Sequence, residues 1–352
     1  MTALPRTLFV AKGNGSVAWY RCALPAMALG LPWVGASKDD PSFTVCTGDS
    51  VITGLEGLFD YEVVILQQPV GAAWARAIRR LQEAGVTVLF EIDDYVQAIR
   101  KMRDHDFAHT FTKENLQAFE IAMRAADGLV VSTEWLAKRY RAVNPNVWVC
   151  RNGIDLRRYA LTRPARPEVN IGWAGGTGHR EAIAPWLGPV AEVMQAHPAA
   201  RFVSVGQPFA HELAPVVGAE RTLAVPFSPL DTYPAAMTLF DVALAPAGKG
   251  NFFRGKSDLR WLEASALGVP VVADPDVYPE IEHGVTGFHA ATPAEAREHL
   301  GTLVADPALR ARVGEAARAY VTEHRSVQAM APQWTRAITE AAALPRTAGR
   351  AA

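Results

Sequence analysis

Residues Asn251–Ala273, NFFRGKSDLRWLEASALGVPVVA, read as a basic, glycine-bearing loop, then a short helix, then a buried strand. Ser257 and Asp258 are N-cap candidates, and Leu259, Leu262, Ala266 and Leu267 recur at helical spacing. Gly268 stops the helix, and Val269–Ala273 is a short apolar run of the kind buried in a parallel sheet. The loop brings Arg254 and Lys256 to the helix start, where free backbone N–H groups and the helix dipole both favour anions, so the stretch suits a diphosphate. Glu263 lies seven residues after Lys256, so both are expected on one helical face about two turns, roughly 10 Å, apart, which lets the carboxylate accept from a ribose diol. A solvated amphipathic helix with one edge glutamate is the plainer alternative.

Apolar runs alternate with helical segments through the rest of the chain, as in a parallel α/β fold. In the first half the expected strands are Thr7–Ala11, Val63–Gln67, Val86–Ile92, Gly128–Ser132 and Val147–Cys150, with helices at Ala72–Glu83 and Glu114–Ala126. In the second half they are Val169–Ala174, Arg201–Val205, Leu223–Pro226, Asp241–Ala245 and Val269–Ala273, with helices at Glu181–Ala196, Thr232–Leu239 and Ser257–Leu267. A length of 352 residues accommodates two domains, and the proline-rich polar stretch Arg157–Glu168 is the expected join. This divides the chain into 1–160, 161–326 and a terminal helical piece, 327–345, after a helix at Pro307–His324. Thr347–Ala352 is expected to be a frayed tail.

Three further stretches stand at telling places: Asn152–Asp155 (NGID) closing the first half, Ile171–Arg180 (IGWAGGTGHR) opening the second, and Glu282–Phe288 (EHGVTGF) before the last helices. Together with Asn251–Ala273 they resemble retaining glycosyltransferases of the GT-B fold, the family 4-like or group 1 glycosyl transferases. The resemblance implies two Rossmann-like domains facing a cleft, the second holding a nucleotide-sugar donor and the first the acceptor, with the terminal helix crossing back to the first. The family pattern places two glutamates eight positions apart. Glu263 matches the second, Gly255 stands at the first, and Lys256–Ser257 matches a Lys-Ser pair that some relatives carry instead.

From the resemblance follow the candidate roles. Lys256 would stabilise the departing diphosphate, helped by Arg254, with Ser257, Asp258 and Leu259 at the helix start and Glu263 further along. Gly175, Gly176 and Thr177 would let the backbone approach phosphate or sugar, with His179 and Arg180 facing the developing negative charge; a simple tight turn and a structural histidine are the alternatives. Phe227 and Tyr233 flank the loop where relatives seat the base and would stack on it, with a place in the core as the alternative for both. In the first half, Gly15, Ser16 and Arg21 border the cleft, where Arg21 or Ser16 would touch donor phosphate or acceptor; Gly13–Ser16 lacks the third glycine of a dinucleotide fingerprint, and a plain turn before an amphipathic helix is the alternative. Asp93 or Asp94, at the end of a strong strand, would orient or deprotonate the acceptor hydroxyl. A Mg²⁺ site or a helix cap there is the alternative, and His105 and His109 follow in a polar loop.

The bulk composition agrees with a globular protein. Net charge of −1 gives no general attraction to nucleic acid or anionic membrane, and Cys22, Cys46 and Cys150 form neither a disulfide framework nor a ligand cluster. No leader-like segment and no apolar run of membrane-spanning length is read, so a cytoplasmic setting, with peripheral membrane contact left open, is expected. The expected activity is hexosyltransferase-like: a UDP- or GDP-linked sugar as co-substrate, no other cofactor and no metal. The acceptor stays open among glycan, lipid-linked sugar, small molecule, protein and modified nucleic-acid base. Alternatives are a sugar-nucleotide epimerase or hydrolase on the same fold, or an inactive nucleotide-sugar-binding protein.

Overall fold

The computed structural model describes residues 3–13, 15–36, 44–47, 50–69, 72–102, 105–106 and 108–345. The Thr347–Ala352 tail, Asn14 of the first glycine loop and the Cys46 side chain lie outside the described residues. The chain forms two compact α/β units. The first comprises Met1–Gln97, Thr110–Gly153 and Val327–Ala352, and the second Ala98–His109 and Ile154–Ser326. The division therefore differs from a single cut at 160: the changeover falls at Gly153, and a short stretch of the first half, Ala98–His109, belongs with the second unit.

In the first unit β1 (Thr7–Lys12), β2 (Trp33–Ala36), β5 (Val63–Gln67), β6 (Thr87–Ile92), β7 (Gly128–Val131) and β8 (Val147–Val149) make one parallel sheet in the order β2-β1-β5-β6-β7-β8. β3 (Thr44–Thr47) and β4 (Ser50–Thr53) form a separate antiparallel pair. Four-residue strands such as β2 to β4 give too little pattern to stand out in sequence, and they were not among the expected strands.

The second sheet, also wholly parallel, runs β11-β10-β9-β12-β13-β14, from β9 (Val169–Gly175), β10 (Ala200–Gly206), β11 (Thr222–Val225), β12 (Val242–Ala245), β13 (Val271–Ala273) and β14 (Phe288–His289). This is the doubly wound order in which strand direction of growth reverses between β9 and β12, and the crevice at their carboxyl ends is where such sheets bind ligands. β13 begins at Val271 rather than at Val269, because Pro270 has no N–H for the ladder, although its carbonyl accepts from the Ala243 N–H at 2.9 Å.

Each sheet has its own core. Ile171, Trp173, Phe202 and Leu244 pack against the helix Arg180–Ala196 through Ile183, Leu187 and Val190, and against Pro293–Ala305 through Leu300 and Leu303. That second helix was not expected, yet Thr292 and Glu295 form a capping box whose sequence signal was available. In the first unit the terminal helix Val327–Ala342 lays Trp334, Ala337, Ile338 and Ala341 into a cluster with Phe9, Ala11 and Leu89, the Trp334 ring lying edge-on to Phe9 at 5.3 Å. The α/β class and the return of the terminal helix to the first unit are thus as expected. Among the described residues no helix is long and apolar enough to cross a membrane.

Candidate functional site

In the second unit, β9 runs into the loop Gly175–Gly178 and β12 into the segment carrying Phe252 to Asp258, so both arrive at the switch point of the sheet. Gly178 has φ +82°, and a side chain there would meet the His105 ring at 2.7 Å, so glycine alone suits the position. His179 follows as the N-cap of the helix Arg180–Ala196, edge-on to Trp173 at 6.5 Å and tilted against Phe253 at 6.5 Å. Its buried Nδ1 has no hydrogen-bond partner. Burial, reinforced by Arg260, Lys256 and His105, holds the imidazole well below its usual range, so His179 is neutral.

Across from it, Lys256 Nζ sits 4.2 Å from the centroid of Phe252, a ring that also meets His105 edge-on at 5.8 Å. The helix beyond runs only Leu259–Ala266. Lys256 therefore precedes it, which corrects the idea that Lys256 and Glu263 share one helical face. Of the two cap candidates, Asp258 takes the N-cap position, but its carboxylate makes no cap bond. It is 4% exposed and instead receives Arg325 through Nη1 at 2.6 Å and Nη2 at 2.9 Å, with Glu280 as the second carboxylate on that guanidinium. Asp258 is thus a buried anchor, not a ligand-facing group, and the helix start keeps its positive end without a side-chain cap.

Glu263 is 5% exposed, and its Oε2 accepts the Tyr233 hydroxyl at 3.1 Å. Burial, with Glu263 beside it, pushes the Tyr233 hydroxyl well up, so the phenol remains a donor. Phe227, by contrast, is 76% exposed, a free aromatic face rather than a core residue. Arg254 is exposed beside Asp276 at 3.8 Å. Arg180 is exposed and makes a two-point ion pair with Glu212, at 2.5 and 3.0 Å, over the Phe209 ring.

Two residues escaped the sequence reading. Arg325 was hidden because nothing in its neighbourhood marks it, and its partners lie far off in the chain. Arg260 is the second residue of the helix Leu259–Ala266. Its Nε donates to the Ala174 carbonyl at 3.0 Å, and its guanidinium carbon is 5.6 Å from the Trp173 ring centroid. The signal that could have found it is its spacing, four after Lys256 and three before Glu263.

In the first unit, Gly15 and Ser16 are exposed at the start of the first helical segment. Arg21 is not with them. It is fully buried, with Nε on Glu91 at 2.6 Å and Nη1 on the Cys150 carbonyl at 2.5 Å and Asn152 Oδ1 at 2.9 Å, beneath Trp334. Its role is to hold the sheet to the terminal helix, and the expected phosphate or acceptor contact is withdrawn. Burial pushes the Glu91 carboxyl above its usual range despite the guanidinium beside it, while Glu91 holds Arg21 above its own. Asp93 accepts from Gln68 Nε2 at 2.6 Å, while the Asp94 carbonyl accepts the Tyr140 hydroxyl at 2.8 Å and its carboxylate is half-buried. Gln68 directly follows β5 with φ +42°, an unusual backbone for a non-glycine residue, and its Oε1 also accepts from Lys12 at 3.3 Å. Among the described residues no group of three or more His, Cys, Asp or Glu is placed to hold a metal.

Residues 184–336 match a family described as glycosyl transferase-like. No curated protein matches the sequence. Among solved structures, sucrose-phosphate synthase from Thermosynechococcus elongatus superposes with a TM-score of 0.67 at 14% identity, over 95% of this chain and 98% of that one. HepE of Anabaena, solved with UDP and glucose, gives 0.64 at 14% identity over 95% and 100%. TarM of S. aureus gives 0.57 at 16% identity over 84% of this chain, which spans 62% of TarM. At such identities the likeness is one of fold. The architecture of two parallel α/β sheets expected from the sequence agrees with it.

Proposed function

We propose that this protein transfers a sugar from a nucleoside-diphosphate donor, UDP- or GDP-linked, to an acceptor hydroxyl, with retention of anomeric configuration and without a metal. The observation that carries the reading is the second sheet's switch point, where Lys256 and an uncapped helix start meet the Gly175–His179 loop, with the buried, tyrosine-held Glu263 beyond. That is a cationic, backbone-rich seat for a diphosphate followed by an acceptor of hydroxyl hydrogen bonds. The family match over 184–336 and the UDP and glucose bound by HepE, a protein of the same fold, support it.

In this reading Lys256 and the helix start stabilise the negative charge that gathers on the departing diphosphate, and Glu263 receives the ribose diol. Phe227 offers a stacking face for the base. Neutral His179 donates a hydrogen bond to the sugar or the diphosphate, and Asp94 orients the acceptor. Retention rests on the resemblance to retaining GT-B enzymes. Protein cations supply the charge that a metal would otherwise meet.

The test is calorimetric titration with UDP, GDP and ADP, followed by product analysis with the matching sugar conjugates and an acceptor panel. One base series should bind, Lys256→Ala and Glu263→Ala should each weaken it about tenfold or more with the fold intact, and transfer should require an acceptor. Failure of the folded wild type to bind any of the three would sink the proposal. An altered donor released without acceptor would replace it with epimerisation.

A further inference from the structure

Arg260 is a half-buried cation whose partners are all neutral: the Ala174 carbonyl, the Trp173 ring and the Tyr278 hydroxyl. Among the described residues it forms no ion pair, unlike the buried Arg21 and Arg325, each of which has a carboxylate. Withdrawing a guanidinium from water without an anion is costly, and it is retained where an anion completes the site. The surroundings point the same way. A side chain on Gly175 would stand 2.8 Å from an Arg260 terminal nitrogen and 2.8 Å from Trp173, so the strand end gives up its side chain where the guanidinium lies along it. Arg260, Lys256, His105 and the orphaned Nδ1 of His179 form one electrostatic group around this loop, with no carboxylate among the charges acting on His179.

We propose that Arg260 binds the donor diphosphate, so that one helix and the residues before it supply both cations of the clamp, Lys256 and Arg260, as well as the ribose acceptor Glu263. This deepens the function proposed above and rests on it. The planar guanidinium can take two phosphate oxygens at once, which a lysine cannot, and Trp173 and Ala174 set its plane in advance. Arg260 then distinguishes a diphosphate from a monophosphate.

The experiment titrates wild type, Arg260→Gln, Arg260→Lys and Gly175→Ala with the nucleoside diphosphate the wild type prefers and with its monophosphate, and records the melting temperature of each. Arg260→Gln should lower the diphosphate-over-monophosphate preference about tenfold, Arg260→Lys less, and Gly175→Ala should lower it by displacing the guanidinium. If Arg260→Gln does not fold, Arg260→Lys and Gly175→Ala decide by the same ratio. An unchanged ratio, or an equal loss for both nucleotides together with a lowered melting temperature, overturns the assignment and leaves Arg260 a structural residue. A wild type that binds no nucleoside diphosphate overturns the parent function instead.

Discussion

His179 shows how far a single residue's environment departs from its sequence context. As a histidine after a glycine loop it reads as a candidate for meeting negative charge, but the fold buries its Nδ1 and surrounds the ring with Arg260, Lys256 and His105. Its folded proton affinity is therefore depressed. The unfolded chain takes up a proton near the ordinary value of 6.5 that the folded chain refuses. Stability should be level above about 6.5 and fall as pH drops below it, towards the lower folded value. Urea melts across this range should show that acid-side loss reduced in His179→Gln; an identical profile in the variant would exclude His179 as its source. The neutral ring in turn can donate one hydrogen bond to a phosphate or sugar oxygen without adding charge.

At the scale of an element, the helix Leu259–Ala266 is short and gains its position from partners distant in sequence. Its N-cap Asp258 is clasped by Arg325, which also holds Glu280, while Trp261 Nε1 donates to the Thr286 carbonyl at 3.1 Å. The anchor sets where the Lys256 segment lies. Asp258→Asn should cost about 3 kcal/mol, the lower end for removing one partner of a buried ion pair, because Glu280 still faces the guanidinium. The same variant should weaken nucleoside-diphosphate binding by loosening the loop. A denaturant melt matching wild type would show that the pair contributes no net stability. Apolar spacing made this helix legible and named Asp258 among its cap residues, whereas only the distant Arg325 decides what the aspartate's carboxylate does.

At the scale of the whole molecule, the terminal helix joins the first unit's core although the second unit intervenes in the chain. Trp334 is 2% exposed, packs on Phe9 and lies over the buried Arg21. Trp334→Ala should destabilise the first unit by about 3–5 kcal/mol, the usual cost of emptying a large aromatic site. In a two-stage melt only one transition, that of the first unit, should move to lower temperature. Equal displacement of both stages would mean that the units unfold as one.

By itself the sequence determined the α/β class, most of the long strands and helices, and the glycine and basic stretches that end at the second sheet's switch point. These are local properties, carried by hydrophobic period, glycine and cap chemistry within a few residues. Tertiary structure alone decided which charges are available. Arg21 and Asp258 were withdrawn into buried ion pairs, Arg180 was taken up by Glu212, and Arg260 was left among neutral partners beside His179. A charged side chain's role depends on the countercharge that folding brings to it, and here those partners lie 32 to 70 positions away. No window of sequence contains them.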